Sequence, residues 1–122
     1  MQPARSITNL LEASLERVWN ERDDAKRLTA LQDLYHPHAV LFEPDNEVVG
    51  IEEISKTVAK AHGELPDGFR FEAASPAAGH HGLGLARWNG VAGGRVIVTG
   101  SDVAKVADGL ITELHVFFDA PQ

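Results

Sequence analysis

The chain has 122 residues, 43% of them hydrophobic, with 11 Lys and Arg against 18 Asp and Glu and a formal net charge of -7. That is one domain's worth of sequence, residues 1–122, enough for a single core and one modest cavity but not for a separate cofactor domain. The acid excess, with no basic run, argues against nucleic acid or an anionic membrane as partner, and the absence of cysteine excludes disulfides, thiolate metal clusters and a cysteine nucleophile.

Met1 to Leu15 break their apolar positions with Asn9, Glu12 and Ser14, so they read as neither a secretory segment nor a spanning helix, and a cytoplasmic location is expected. Ile7, Leu10, Leu11, Leu15, Val18 and Trp19 keep helical phase, with Ser6 as the cap and Asn20 as the end. A second helix follows Asp23 and Asp24, with the stripe Ala25, Leu28, Leu31, Leu34 and Tyr35, and Pro37 is expected to close it. Ala39 to Phe42 reads as a short strand stopping at Glu43-Pro44. A third helix is predicted over Ile51 to His62, with an inner face of Ile54, Val58 and Ala61, a Glu52–Lys56 pair and Gly63 as a left-handed cap.

Beyond Gly63 the period changes to two. Phe69 to Ala74, Leu83 to Trp88, Arg95 to Val106 and Leu110 to Asp119 read as strands of an antiparallel sheet, with Gly93-Gly94 and Asp108-Gly109 as turns. Three helices ahead of such strands make an α+β layout in which the helices cover one face of a curved, mostly antiparallel sheet and form a cone.

Two carboxylates stand where apolar residues are expected. Glu43 ends a strand on the side of Leu41 and Ala39; it either faces inward with them or is a solvated strand end. Asp102 shares a strand face with Val96, Val98, Gly100, Ala104 and Val106, and aspartate is disfavoured in strands. It is either paired with backbone or an arginine such as Arg87, or it faces a cavity where desolvation raises its pKa and makes it a general acid or base. His80 shares a face with Gly82, Gly84, Ala86 and Trp88, a small-residue surface with room for a ligand or a helix. His115 and Phe117 lie opposite Leu114, Val116 and Phe118, and suit a contact between two copies of the sheet. His36 and His38 offer a metal pair without a third ligand at a suitable spacing. No Gly-x-Ser-x-Gly is present, and Gly90 to Gly94 precede a strand rather than a helix, so neither a serine hydrolase nor a phosphate cradle is indicated. No cofactor is expected.

The stretches Val18 to Asp23, Leu34-Tyr35, Phe42-Glu43-Pro44, Gly50-Ile51, Pro66 to Phe71, Gly100 to Val103, Asp108 to Ile111 and Phe118-Asp119 resemble, in order and spacing, the nuclear-transport-factor-2-like superfamily and, within it, the SnoaL-like proteins. The resemblance covers nearly the whole chain and implies a cone-shaped, NTF2-like α+β barrel with a deep apolar pocket, usually dimeric through its outer sheet face. By comparison with ketosteroid isomerase, it implies a base at Glu43, a protonated oxyanion donor at Asp102 and a supporting tyrosine at Tyr35. That family's oxyanion-binding tyrosine near the end of the first helix has no counterpart, since Tyr35 is the only Tyr, and this argues against steroid isomerisation at full rate. The SnoaL-like polyketide cyclases also use an Asp on the strand of Asp102, which makes Asn20 a polar pocket group. Limonene epoxide hydrolase needs an Arg where Gly100 stands.

The reading that joins these features is proton transfer next to the carbonyl of a small apolar compound by Asp102 and Glu43, in a pocket of Trp19, Asn20, Tyr35, His80, Trp88, Val98, Leu114, Val116 and Phe118. The other readings are a non-catalytic ligand-binding or dimeric assembly module of the same fold, and a metal enzyme built on His36, His38, His80 or His115.

Overall fold

The computed structural model describes residues 6–120. Residues 1–5, the head of the segment read as neither leader nor spanning helix, lie outside the described residues. No described helix is long and apolar enough to cross a membrane.

Ser6 caps α1 (Ile7–Ser14) by accepting from the Asn9 amide at 3.1 Å. The predicted helix then widens: Leu15–Trp19 form a π-helical turn closed by the Asn20 amide on the Leu15 carbonyl at 3.0 Å. The wide turn buries Val18 and Trp19 while leaving Asn20 free to reach Phe71 across the molecule. Asp23 caps α2 (Asp24–Leu34) through the Lys26 amide at 2.9 Å. Its buried face is Arg27, Ala30, Leu31 and Leu34, so the expected stripe is corrected: Ala25 is exposed and Tyr35 belongs to the following strand.

Pro37 does not close this helix, which ends at Leu34. It lies inside β1 (Tyr35–Glu43), in the irregular stretch between Tyr35 and Val40 where the pairing is interrupted and a missing N–H breaks no ladder bond. After β2 (Asn46–Val49), α3 (Ile51–Glu64) buries Ile54, Ser55 and Val58. Gly63 is an ordinary helical residue rather than a left-handed cap. The stop comes from Pro66, whose ring drives Leu65 into extended backbone (φ -89, ψ 157). Lys56 pairs with Glu53 at 3.2 Å instead of Glu52.

The remaining strands are β3 (Arg70–Ala73), β4 (Ala78–His80), β5 (Leu83–Ala92), β6 (Arg95–Ala107) and β7 (Leu110–Phe118). They form one sheet in the order β2-β1-β7-β6-β5-β3, with β4 also on β5; only the β1–β7 pair is parallel. The sheet is open, and the helices pack on its concave face. Asp108 (φ 54) and Gly109 (φ 75) adopt the mirror-image hairpin turn expected of them. His81 (φ 51) and Gly82 (φ 77) make a similar turn between β4 and β5, so His80 precedes a hairpin instead of continuing into β5. The small residues of β5 make room for a helix: a Cβ on Gly84 would collide with Ile7 and Leu11.

Candidate functional site

Alternation along β5, β6 and β7 turns Trp88, Asp102 and Val116 toward the helices. Asp102 pairs across the sheet with Ala86 and Val116. Between this face, the π turn and the end of α3 lies a cavity of about 230 Å³. Of the residues expected at a pocket, Trp19, Glu43, Trp88, Val98, Asp102, Val116 and Phe118 line it. The Phe69 and Phe71 rings, with Leu15, Ala61, Glu64 and Leu65, complete the wall. Phe69 and Phe71 were visible as strand residues, but nothing in their spacing showed that their rings turn under the helices.

Asp102 is only 4% exposed. Its one side-chain hydrogen bond among the described residues comes from the Trp88 indole, Nε1 donating to Oδ1 at 3.0 Å. Loss of water pushes its pKa from 3.8 to about 7, against the smaller opposing effect of the Trp88 hydrogen bond. Arg87, the alternative partner weighed for Asp102, faces the other side of the sheet, donating to Ser101 Oγ at 3.0 Å and Asp119 Oδ2 at 2.8 Å. Among the described residues no cation lines the cavity.

A glycine beside this carboxyl sets the position of its donor. Gly100 pairs across the strands with Trp88, and a Cβ there would collide with the Trp88 ring and the Phe117 carbonyl. The indole can lie over β6 because Gly100 has no side chain, and an arginine at this position is sterically excluded.

Glu43, at the end of β1, is half-buried and opens both into the cavity and into an adjoining cleft lined by Asp45, Lys60 and Glu64. Asn46 Nδ2 donates to its Oε1 at 3.3 Å.

Four residues expected at the pocket do not line it. Asn20 is a clamp on the sheet edge: its Nδ2 donates to the Phe71 carbonyl at 2.8 Å and its Oδ1 accepts from the Phe71 amide at 2.7 Å. Tyr35 is buried behind the wall, its hydroxyl 2.6 Å from Ser14 Oγ. Burial drives its pKa well above the usual tyrosine range, the Ser14 hydrogen bond opposes this, and the Asp102 charge adds to the rise. The Trp19 indole N–H also opposes the rise, yet Nε1 is buried without a well-formed hydrogen bond among the described residues. Leu114 is fully buried in the core, paired with Ala104 and Leu41. His80 is exposed on β4, because the His81-Gly82 turn separates it from the Gly84–Trp88 face.

On the convex face, the His115 ring stacks on Phe42 with centroids 4.4 Å apart, while its Nε2 meets Glu113 Oε1 at 3.0 Å. Phe117 on the same face is 55% exposed. Among the described residues no three His, Asp or Glu side chains are grouped so as to hold a metal ion, which leaves the histidine-based metal reading without a site.

The model of the SnoaL-like domain family matches residues 11–114. None of the curated proteins matches this sequence. Among solved structures, the chain is similar to a candidate isomerase of the SnoaL-like family from Agrobacterium tumefaciens, with 23% identity over 92% of this chain and 96% of that one and a TM-score of 0.85. It is also similar to an NTF2-like protein of unknown function from Cytophaga hutchinsonii (16% identity, 98% and 95% of the two chains, TM-score 0.71). A candidate ketosteroid isomerase from Kribbella flavida shares 14% identity over 94% of this chain and 78% of its own, with a TM-score of 0.73. At these identities the likeness is one of fold.

Proposed function

Because the chain belongs to the SnoaL-like domain family, whose fold serves many chemistries, its activity has to be argued from the site, and we propose that it binds a small apolar carbonyl compound and moves a proton at the neighbouring carbon, as an isomerase or cyclase does. The observation that carries this reading is Asp102, a carboxyl with a pKa near 7 inside an aromatic-walled cavity.

In its protonated form Asp102 donates a hydrogen bond to the substrate's carbonyl oxygen. Glu43, at the mouth, takes the proton from the adjacent carbon as the electron pair moves onto that oxygen. The resulting enolate is stabilised by the Asp102 donor in surroundings poor in water, where such a contact is far stronger than in solution. Return of the proton to another carbon completes an isomerisation. Trp88 positions the Asp102 carboxyl and does not touch the reacting carbon.

Turnover in Asp102→Leu, which removes the donor that an asparagine amide would retain, and in Glu43→Gln tests this reading. Removal of an oxyanion donor lowers kcat by about 10²–10³ and removal of a general base by about 10²–10⁴, with ligand affinity changed far less. A second reading, a non-catalytic binding module, is favoured by one observation: the single tyrosine is tied to Ser14 behind the wall, so no phenol joins Asp102 in the cavity. Equal binding by wild type and Asp102→Asn, with no turnover by either, would establish that second reading. In both readings two copies pair through the convex face around His115 and Phe117.

A further inference from the structure

Resting on the reading above that the ligand is a carbonyl compound, we propose that it is a neutral molecule with a single ring, and that the site rejects both fused multi-ring ligands and carboxylates of the same size. Size comes first. The cavity of about 230 Å³ is smaller than the range of about 300–1,000 Å³ that holds drug-sized ligands.

The wall cannot easily retreat to enlarge it. Phe71 stands at the centre of an edge-to-face cluster, with centroid distances of 6.0 Å to Trp19, 5.0 Å to Phe69 and 5.1 Å to Trp88; Phe118 continues it at 5.8 Å from Trp88. Two of these rings already rest on bare backbone. A Cβ on Gly90 would come within 2.5 Å of Phe69 Cζ, and one on Gly100 would strike Trp88. Having sunk onto glycine, both rings have no further room in the sheet, and close-packed aromatic contacts transmit rather than absorb displacement. The space left suits one flat ring. Asp102 is the polar group on the strand floor, and Glu43 and Glu64 lie where the cavity meets the outer cleft. One hydrogen-bonding anchor matches one oxygen function.

Charge decides the second half of the proposal. The outer cleft, about 720 Å³, shares Glu43, Ala61, Glu64 and Phe118 with the cavity and adds Asp45 and a single cation, Lys60. Among the described residues, an anion would pass three acidic side chains against one lysine and come to rest beside Asp102, with no cation in the lining to neutralise it.

Both tryptophans of the chain line the cavity, so intrinsic fluorescence reports its occupancy directly. The probes are acetophenone (one ring, neutral), benzoate (one ring, anionic) and progesterone (four rings, neutral), titrated into the wild-type protein at pH 6, where Asp102 is protonated and benzoate remains an anion. Acetophenone is expected to change the emission saturably, benzoate to bind at least tenfold more weakly and progesterone not to bind. Progesterone binding more tightly than acetophenone overturns the size limit, benzoate binding within tenfold of acetophenone overturns the charge selection, and saturation by none of the three overturns both. Phe71→Leu widens the wall, and 1-tetralone, with two rings, is expected to gain at least fivefold in affinity over wild type; no gain in a folded variant counts against ring packing as the limit. Hydrogen exchange at the ketone's α-carbon in D₂O separates this proposal from the one it rests on. Acetophenone binding without exchange removes the proton-transfer reading and leaves the ligand class, whereas exchange on progesterone alone does the reverse.

Discussion

At the scale of single residues, Asp102 links stability to chemistry. Its carboxyl has a pKa of 3.8 in the absence of the fold and about 7 within it. Between those values the folded state binds more protons than the unfolded one, so stability falls as pH rises from about 4 to about 7 and stays at its lower level above. A shift of this size corresponds to about 4 kcal/mol at about 1.36 kcal/mol per pKa unit, an upper figure for the destabilisation at pH 8. Asp102→Asn keeps the shape, can still accept from Trp88 and does not titrate. The variant is expected to be more stable than wild type at pH 8 and to lose that advantage near pH 4, as read by thermal unfolding across pH. A constant difference at all pH values would contradict the buried titration. The Trp88 indole proton provides a second readout, because its NMR shift should follow the Asp102 titration with a midpoint near 7. If turnover needs protonated Asp102, kcat declines above the same pH.

At the scale of elements, polar side chains add fixed points to the apolar packing of the helices on the sheet. Asn20 satisfies both backbone groups of Phe71 on β3, an edge strand, and Arg22 donates to the Phe69 carbonyl at 3.0 Å just ahead of it. Together they occupy backbone positions that an additional strand would otherwise use. Asn20→Ala is expected to lower stability by about 1–3 kcal/mol and to speed hydrogen exchange at the Phe71 amide, while the β6–β7 amides stay protected. Uniform loss of protection would show that Asn20 supports the whole fold rather than this edge. Arg27 performs a similar task between helices. Nearly fully buried, it donates to Ser55 Oγ at 3.0 Å and the Glu21 carbonyl at 2.7 Å, and pairs with Asp24. Periodicity read α2 as an apolar stripe and passed over this arginine, since a charged residue is ordinarily assigned to solvent.

At the scale of the whole molecule, the convex face is the surface proposed above for pairing of two copies. Phe117, Leu83 and Leu85 are each about half exposed there, beside the Phe42–His115 stack. Phe117→Glu is expected to shift the protein from dimer to monomer in analytical ultracentrifugation and to leave acetophenone binding intact, because Phe117 does not line the cavity. A wild-type monomer at all concentrations would dismiss the pairing.

What the sequence determined by itself was local and periodic. The capped starts of α1 and α2, the two-residue turns at Asp108-Gly109 and Gly93-Gly94, and the inward phase of Asp102 follow from side chains acting on their own backbone or from strict alternation. Where an element's end or face depends on a distant partner, that logic fails. The π turn accompanies Asn20 reaching Phe71, 51 residues away. A bulge that inserts Ile97 between the pairs Val91–Val96 and Gly90–Val98 breaks the alternation on β6 and puts Val96 in solvent, although its spacing placed it with Asp102. The exposed β2 and β4 carry too little apolar pattern to be read before their neighbours are in place. The site divides in the same way. Alternation placed Asp102 on an apolar strand face and left Glu43 between the interior and solvent, but only tertiary packing decided that Trp88 would hold the Asp102 carboxyl, that Tyr35 and Asn20 would be spent on Ser14 and Phe71, and that Phe69 and Phe71 would narrow the cavity. Hydrogen bonds and ring contacts between residues far apart in the chain leave no period in the sequence, and they appear only when the sheet and helices close on one another.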